Sequence, residues 1–322
     1  MTRTTSRPLP MIVDVVEVVR AERLSPSFVR VQLGGACLAD FGVEGELYDQ
    51  RIKLVFPSPG HALPADVLAG ESWYDSWLEQ PADERGHMRT YSVREVVGEG
   101  ADTRVVVDLV VHGVVHEDSG SGPGSAWAQG ASVGDRVLLV GPRRGQRFGG
   151  IEFGPGAARR LLLAGDETAV PAACAILGQL PWSATGAAFL EVPESADVQT
   201  IPHPSGVEVV WLPRDGAPLG ERLRVAVLDH LGVSVPVSAG PLDAMGSVDP
   251  DLWETPTYSS SGEETDAEVC PVGRPLDDLY AWIAGECGVV TGLRRVLVKD
   301  LGMDRRQVAF MGYWRRGVAM RS

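Results

Sequence analysis

Three short stretches of this 322-residue chain combine residue types that can do chemistry together. Arg89-Thr90-Tyr91-Ser92 puts a cation, a flat aromatic ring and a short hydroxyl within one tetrapeptide. As chemistry it is a flavin clamp, with a guanidinium for a diphosphate, a phenol for a tricyclic ring system and a hydroxyl for a ring nitrogen. As structure alone it is an ordinary strand, opening after a polar loop, whose side chains alternate between faces. Downstream, His112-Gly113 ends an apolar run, and Gly122-Pro123-Gly124-Ser125-Ala126-Trp127-Ala128 reads as a loop entering a helix. Small residues at a helix start let an anion reach the first N–H groups, where the helix dipole also favours negative charge. They equally make a plain turn before an amphipathic helix. Gly165-Asp166-Glu167-Thr168-Ala169 follows the apolar run Leu161 to Ala164 and starts another helix. That is the strand-to-helix crevice in which nucleotides sit in open α/β sheets. It lacks the G-x-G-x-x-G dinucleotide fingerprint, and a simple helix cap by Asp166 or Thr168 accounts for it as well.

Two kinds of scaffold must position these groups. Up to about residue 150 the chain shows short β-like runs, Ile12 to Val19, Phe28 to Leu33, Arg51 to Phe56, Thr103 to Val111 and Arg136 to Val140, spaced as in an antiparallel barrel. From Arg159 apolar strand candidates alternate with helical stretches: Arg160 to Ala164, Ala187 to Val192, Val207 to Leu212, Leu279 to Ala284 and Val308 to Tyr313. That alternation predicts a parallel sheet flanked by helices. The Gly- and Pro-containing stretch Gly149 to Gly156 has neither periodicity and marks the boundary, giving domains 1–156 and 157–322. The second domain carries an insert over 233–275, whose Pro241 to Cys270 portion holds eight acidic residues and no basic ones. It cannot bury much apolar area and reads as a flexible loop, with Trp253 and Tyr258 resting loosely on the surface.

Composition narrows the function classes. A 44% apolar content supplies one large or two ordinary cores, and 29 basic against 43 acidic residues leave a net charge of -14. Such a charge repels a phosphate backbone, so nucleic acid is not an expected partner. No stretch approaches the roughly 20 apolar residues of a membrane span, and Met1 to Pro10 lacks a signal peptide's apolar core. The expectation is a cytoplasmic protein without membrane insertion. Cys37, Cys174, Cys270 and Cys287 stand singly, without the paired spacing of a zinc or iron–sulfur site. His112 and His116 stand four apart with no Glu between them, and Gly113 disfavours a helix there, so no metal site is expected.

Trp282-Ile283-Ala284-Gly285-Glu286, again a strand running into a helix start, and Gly312-Tyr313-Trp314-Arg315-Arg316-Gly317 near the end complete a set of five elements. Together they resemble the siderophore-interacting protein family of FAD-dependent ferric-siderophore reductases, which belong to the ferredoxin-reductase-like flavoproteins. The resemblance runs from about Val13 to Gly317. It implies a six-stranded antiparallel FAD-binding barrel followed by a ferredoxin-reductase-like α/β domain with a parallel sheet. It further implies that Arg89, Thr90, Tyr91 and Ser92 hold the flavin's diphosphate and ring, that His112 and Gly113 line it, and that Gly122, Pro123, Gly124 and Ser125 hold its diphosphate. Asp166, Thr168 and Ala169 would face the nicotinamide donor, with Gly285, Glu286, Tyr313 and Trp314 closing around the flavin. Two stretches depart from the family: Val114 to Ser121 and the acidic insert are both longer than expected.

Charge is segregated within the chain. Arg294 to Ser322 contains eight basic residues against Asp300 and Asp304, and a basic pocket attracts anionic ferric siderophores of the catecholate type. By the resemblance, Lys53, then Arg143 or Arg144, then Arg294 or its neighbour Arg295 would bind this substrate, although for most of these cations a solvated surface is the simpler role. The implied activity is reduction of ferric siderophores through FAD, with electrons from NADPH, NADH or a ferredoxin. The competing reading is a non-catalytic flavin- or siderophore-binding protein of the same fold. An ordinary ferredoxin or flavin reductase is disfavoured by the Trp-Ile-Ala-Gly-Glu and Gly-Tyr-Trp-Arg-Arg-Gly elements.

Overall fold

The structure, a computed structural model, describes residues 9–63, 72–111, 122–233, 253–255, 258–259 and 276–318. It divides into two compact units between Ile151 and Glu152, with Ser25–Ser27 grouped in the second. The first unit runs β1 (Met11–Ser25), β2 (Phe28–Gly34), β3 (Arg51–Phe56), α1 (Trp73–Glu79), β4 (His87–Ser92), β5 (Glu95–Val97), β6 (Arg104–Val110), α2 (Pro123–Gly130) and β7 (Arg136–Pro142). Its strands form one sheet of seven in the order β4-β3-β7-β1-β2-β6-β5. The two edge strands are consecutive in the chain, and their junction closes the sheet. The Val93 N–H donates to the Gln50 carbonyl and the Arg94 N–H to that of Val106, so the chain leaves one edge and joins the other. Six strands were expected; the run 87–97 changes partner at Val93 and therefore makes two.

Alternation explains the filling of this barrel. Ile12, Val16 and Val18 of β1, Val31 and Leu33 of β2, and Val105, Val107 and Leu109 of β6 turn inward onto one apolar core with Ile52, Leu54 and Phe56. On the opposite face Val55, Met88, Leu138 and Val140 pack beneath Trp77 of α1. Trp77 is fully buried, and its indole N–H donates to the Arg85 carbonyl at 2.9 Å.

The second unit contains β8 (Arg160–Gly165), α3 (Val170–Gln179), β9 (Thr185–Val192), β10 (Val207–Pro213), α4 (Glu221–His230), β11 (Trp253–Thr255), β12 (Tyr258–Ser259), β13 (Leu279–Glu286), α5 (Cys287–Arg294) and β14 (Val308–Trp314). The sheet order is β10-β9-β8-β13-β14-β11-β12, and β8, β9, β10, β13 and β14 run parallel. The chain winds outward from β8 to β9 and β10, then returns to build β13 and β14 on β8's other side. This reversal makes the carboxyl ends of β8 and β13 the topological switch point, where ligands bind in such sheets. Leu162, Ala164, Ile283 and Phe310 pack on one face against Leu223 and Val227 of α4 and Val290 and Leu293 of α5.

One expectation is corrected. Within the acidic stretch, Trp253–Thr255 and Tyr258–Ser259 are strands, and Trp253 pairs with Met311 to extend the sheet antiparallel to β14. The exposed edge of β14 supplies the backbone partners that composition does not reveal. Most of the insert, and also His112, Gly113 and Val114 to Ser121, lie outside the described residues.

Truncating Trp77 to alanine removes the largest side chain between α1 and the sheet, and the expected loss is about 3–5 kcal/mol. Urea unfolding followed by far-UV circular dichroism measures it; an unchanged midpoint would mean that α1 contributes nothing to the barrel's stability.

Candidate functional site

In the first unit the Arg89-Thr90-Tyr91-Ser92 motif closes β4 rather than opening it. The strand begins at His87 because Gly86, at φ +78°, makes the turn into it, with the Phe56 carbonyl lying where a Cβ would stand. Register then sorts the side chains: Arg89 lies opposite Leu54 and Tyr91 opposite Ile52, on the core-facing side, whereas Thr90 lies opposite Lys53 and Ser92 opposite Arg51. Lys53 Nζ donates to Thr90 Oγ1 at 3.5 Å. Lys53 is therefore on the opposite face of the sheet from Arg89.

Helix α2 seats directly on this motif. Gly124 abuts the Tyr91 hydroxyl so closely that a Cβ would collide with it. Phe56 lies edge-on to Tyr91, with centroids 5.9 Å apart, and 4.8 Å from Trp127. Gly122 contributes no capping side chain and Pro123 fills the first helical position, where its missing N–H costs nothing. The first motif and the Gly122 to Ala128 part of the second are thus one constellation.

The strand pair carries four basic side chains, Arg51, Lys53, His87 and Arg89. Burial lowers the pKa of Arg89, which donates from its guanidinium to the Met88 carbonyl at 2.7 Å. Burial and then Arg51 lower Lys53, and burial followed by Arg89 and Arg85 lowers His87. Burial raises the Tyr91 phenol well above its ordinary value, against the pull of Arg89, so it stays neutral.

In the second unit one buried carboxylate assembles the other three motifs. Asp166 follows β8; its Oδ1 accepts from the Thr168 N–H at 2.9 Å and the Thr168 hydroxyl at 2.5 Å. Its Oδ2 accepts from the Glu286 N–H at 2.7 Å and the Trp314 indole N–H at 2.9 Å. Asp166 thereby ties the ends of β8, β13 and β14 at the switch point. Gly285 is obligatory beside it, since its φ is +139° and a Cβ would stand 2.6 Å from Asp166 Oδ2. Glu286 caps α5, its Oε2 accepting from the Gly288 and Val289 N–H groups at 2.6 and 3.0 Å, while its Oε1 accepts from the Arg316 N–H at 3.2 Å. Tyr313 stacks on Trp253, with centroids 6.0 Å apart. Ala169 is buried at the start of α3.

A further network went unpredicted. Arg214, just past β10, holds Glu167 bidentately at 2.6 and 3.0 Å and reaches Glu191 at 3.2 Å. Glu191, fully buried, also accepts from the Gly220 and Leu223 N–H groups and so fixes the start of α4. The one available signal was a glutamate inside the apolar run Ala187 to Val192.

The remaining substrate candidates are placed as follows. Arg143 pairs with Asp40 at 2.8 Å and donates to the Leu9 carbonyl, while Arg144 donates to the Phe41 carbonyl at 3.2 Å. Arg294 ends α5, about 10 Å along the helix from the carboxyl edge of the sheet. Among the described residues no helix is long and apolar enough to cross a membrane, and no group of three His, Cys, Asp or Glu side chains is arranged to hold a metal.

Residues 17–146 match the siderophore-interacting FAD-binding domain, and residues 158–317 match the siderophore-interacting protein model. The chain belongs to the siderophore-interacting protein family. Over 318 residues, 98% of this chain and 93% of the relative, it is 28% identical to the ferric vibriobactin reductase of Vibrio cholerae. It is 24% identical over 301 residues to the NADPH-dependent ferric-chelate reductase of Escherichia coli, covering 92% and 91% of the two chains. A siderophore utilization protein from T. fusca superimposes with a TM-score of 0.63 at 29% identity, over 97% of this chain and 95% of that one.

Burial, then the Glu167 charge, push Asp166 up to about 7, although its hydrogen bonds to Thr168 and Trp314 pull the other way. A folded-state value above the unfolded one means that the folded protein binds this proton more readily. The group's contribution to stability is therefore greatest at low pH, falls as pH rises from about 4 to about 7, and is level above that. Urea titrations of wild type and Asp166→Asn at several pH values should show the wild type losing ground to the variant across that window. Parallel profiles would contradict this.

Proposed function

We propose that this FAD-dependent oxidoreductase reduces ferric siderophores to release ferrous iron, using a reduced nicotinamide as donor. The observation that carries the reading is the seating of the start of α2, at Gly124, on the face of β4 that bears Arg89 and Tyr91. The residues fit an FAD. Arg89 and the helix start Gly122 to Ser125 supply a cation and backbone donors for a diphosphate. Tyr91 offers a neutral ring for the flavin rings. When bound, FAD supplies the conversion of a two-electron hydride donor into single-electron delivery to iron.

The chain's own residues then bind and position. Thr90 holds Lys53 in place at 3.5 Å, where it attracts an anionic ferric chelate. Hard oxygen ligands suit ferric far better than ferrous iron, so reduction itself loosens the metal and no acid or base from the protein is required. In the second unit, by the same reading, Asp166, Thr168 and Ala169 take the donor's side of the switch point, where Gly285, Glu286 and Trp314 gather around Asp166. The reduced nicotinamide pool, and Cys37, Cys174 and Cys287 standing outside any disulfide among the described residues, suit work in the cytoplasm.

Purified protein should be yellow, and it should oxidise NADPH faster when a ferric catecholate and a ferrous trap are present. A preparation that cannot be reconstituted with FAD would end the reading; one that holds FAD but reduces no chelate would favour the binder. Tyr91→Ala should lose FAD on gel filtration, and full retention would displace the clamp. Lys53→Ala should raise KM for an anionic chelate about fivefold, with a smaller effect for a neutral one. Equal effects on both chelates would remove Lys53 from the substrate site.

A further inference from the structure

In sheets of this topology a dinucleotide's diphosphate rests on the backbone N–H groups at the start of the first crossover helix, and the fingerprint glycines make room for it. The corresponding turn here is Gly165-Asp166-Glu167-Thr168-Ala169-Val170. Its first glycine is kept, because a Cβ at residue 165 would lie 2.7 Å from the Ala284 carbonyl oxygen. The second and third glycine positions hold Glu167 and Val170, both buried.

Three successive donors at this turn are already engaged. The Thr168 N–H donates to the Asp166 carboxylate at 2.9 Å, and the Ala169 and Val170 N–H groups donate to the Asp166 carbonyl at 2.9 and 3.2 Å. Residue 171 is proline and has no N–H. Charge works in the same direction. Asp166 and Glu167 are adjacent carboxylates with Glu191 close by, and Arg214, which would answer an anion, is clamped bidentately on Glu167.

We propose that the Asp166 carboxylate stands where a dinucleotide's diphosphate would lie, so that the α/β unit takes a reduced nicotinamide by its ring-bearing half and is nearly indifferent to the ADP half. This rests on the reductase reading above and specifies its donor chemistry. NADPH, NADH and reduced nicotinamide mononucleotide then become near-equivalent donors, each losing a hydride to the flavin and leaving as the oxidised nicotinamide.

Two measurements test it on the full-length holoprotein. Calorimetric titration with NADP+ should show no saturation at micromolar concentration. Anaerobic flavin bleaching by the three donors should give second-order rate constants within about tenfold of one another. Glu167→Gln, which removes a charge from the turn and loosens Arg214, should tighten NADP+ about fivefold, with a smaller change in the mononucleotide rate. Micromolar NADP+ binding to wild type, a rate with NADPH about a hundredfold above that with the mononucleotide, or no tightening in Glu167→Gln would each overturn the proposal. So would a flavin that dithionite bleaches and no nicotinamide does. A protein that retains no flavin overturns the reductase reading instead, and the calorimetry still decides this one.

Discussion

The second unit depends on one constraint: a carboxylate buried at the switch point of a parallel sheet must find enough donors to stay there. Asp166 finds four, from Thr168, Glu286 and Trp314. Burying a charge without partners is costly, and each of these donors dictates a local conformation. The Glu286 N–H reaches Asp166 because Gly285 adopts a φ closed to other residues. The Trp314 indole reaches it because β14 pairs with β13 in a register that shifts at Gly285 and Glu286. What looks like three separate motifs is the hydrogen-bonding shell of one side chain.

The first unit solves a different problem, that of gathering positive charge in a chain of net charge -14. Two antiparallel strands, β3 and β4, carry Arg51, Lys53, His87 and Arg89 between them, and alternation divides these between the faces of the sheet. One face meets α2 and the aromatic pair Phe56 and Tyr91; the other presents Lys53 and Thr90. A single strand pair thus carries cations on both faces, which is what the proposed function asks of it: one set for a diphosphate and another for an anionic chelate.

Much of this was legible in the sequence wherever local pattern decides structure. Arg51 to Phe56 is a strand as read, and the change from β runs to alternating strands and helices corresponds to two units with different sheets. What escaped depends on partners far along the chain. Asp166 was readable as a helix cap, yet two of its donors lie 120 and 148 residues away. Arg143 was readable as a candidate substrate cation, and its ion pair with Asp40, 103 residues distant, was not readable. Trp253 sits in a stretch with no periodicity, and only the edge of β14 makes it a strand. Spacing reports which residues can form an element and is silent on which distant side chain will satisfy a buried polar atom.

The central claim, that electrons pass from a held flavin to chelated ferric iron, is tested most directly by a single turnover. Photoreduced holoprotein, free of any nicotinamide, is mixed anaerobically with a ferric catecholate and a ferrous trap, and the flavin and trapped-iron absorbances are followed together. The account predicts full flavin reoxidation with about two ferrous ions trapped per flavin. A flavin that stays reduced while the ferric chelate is present in excess would contradict it.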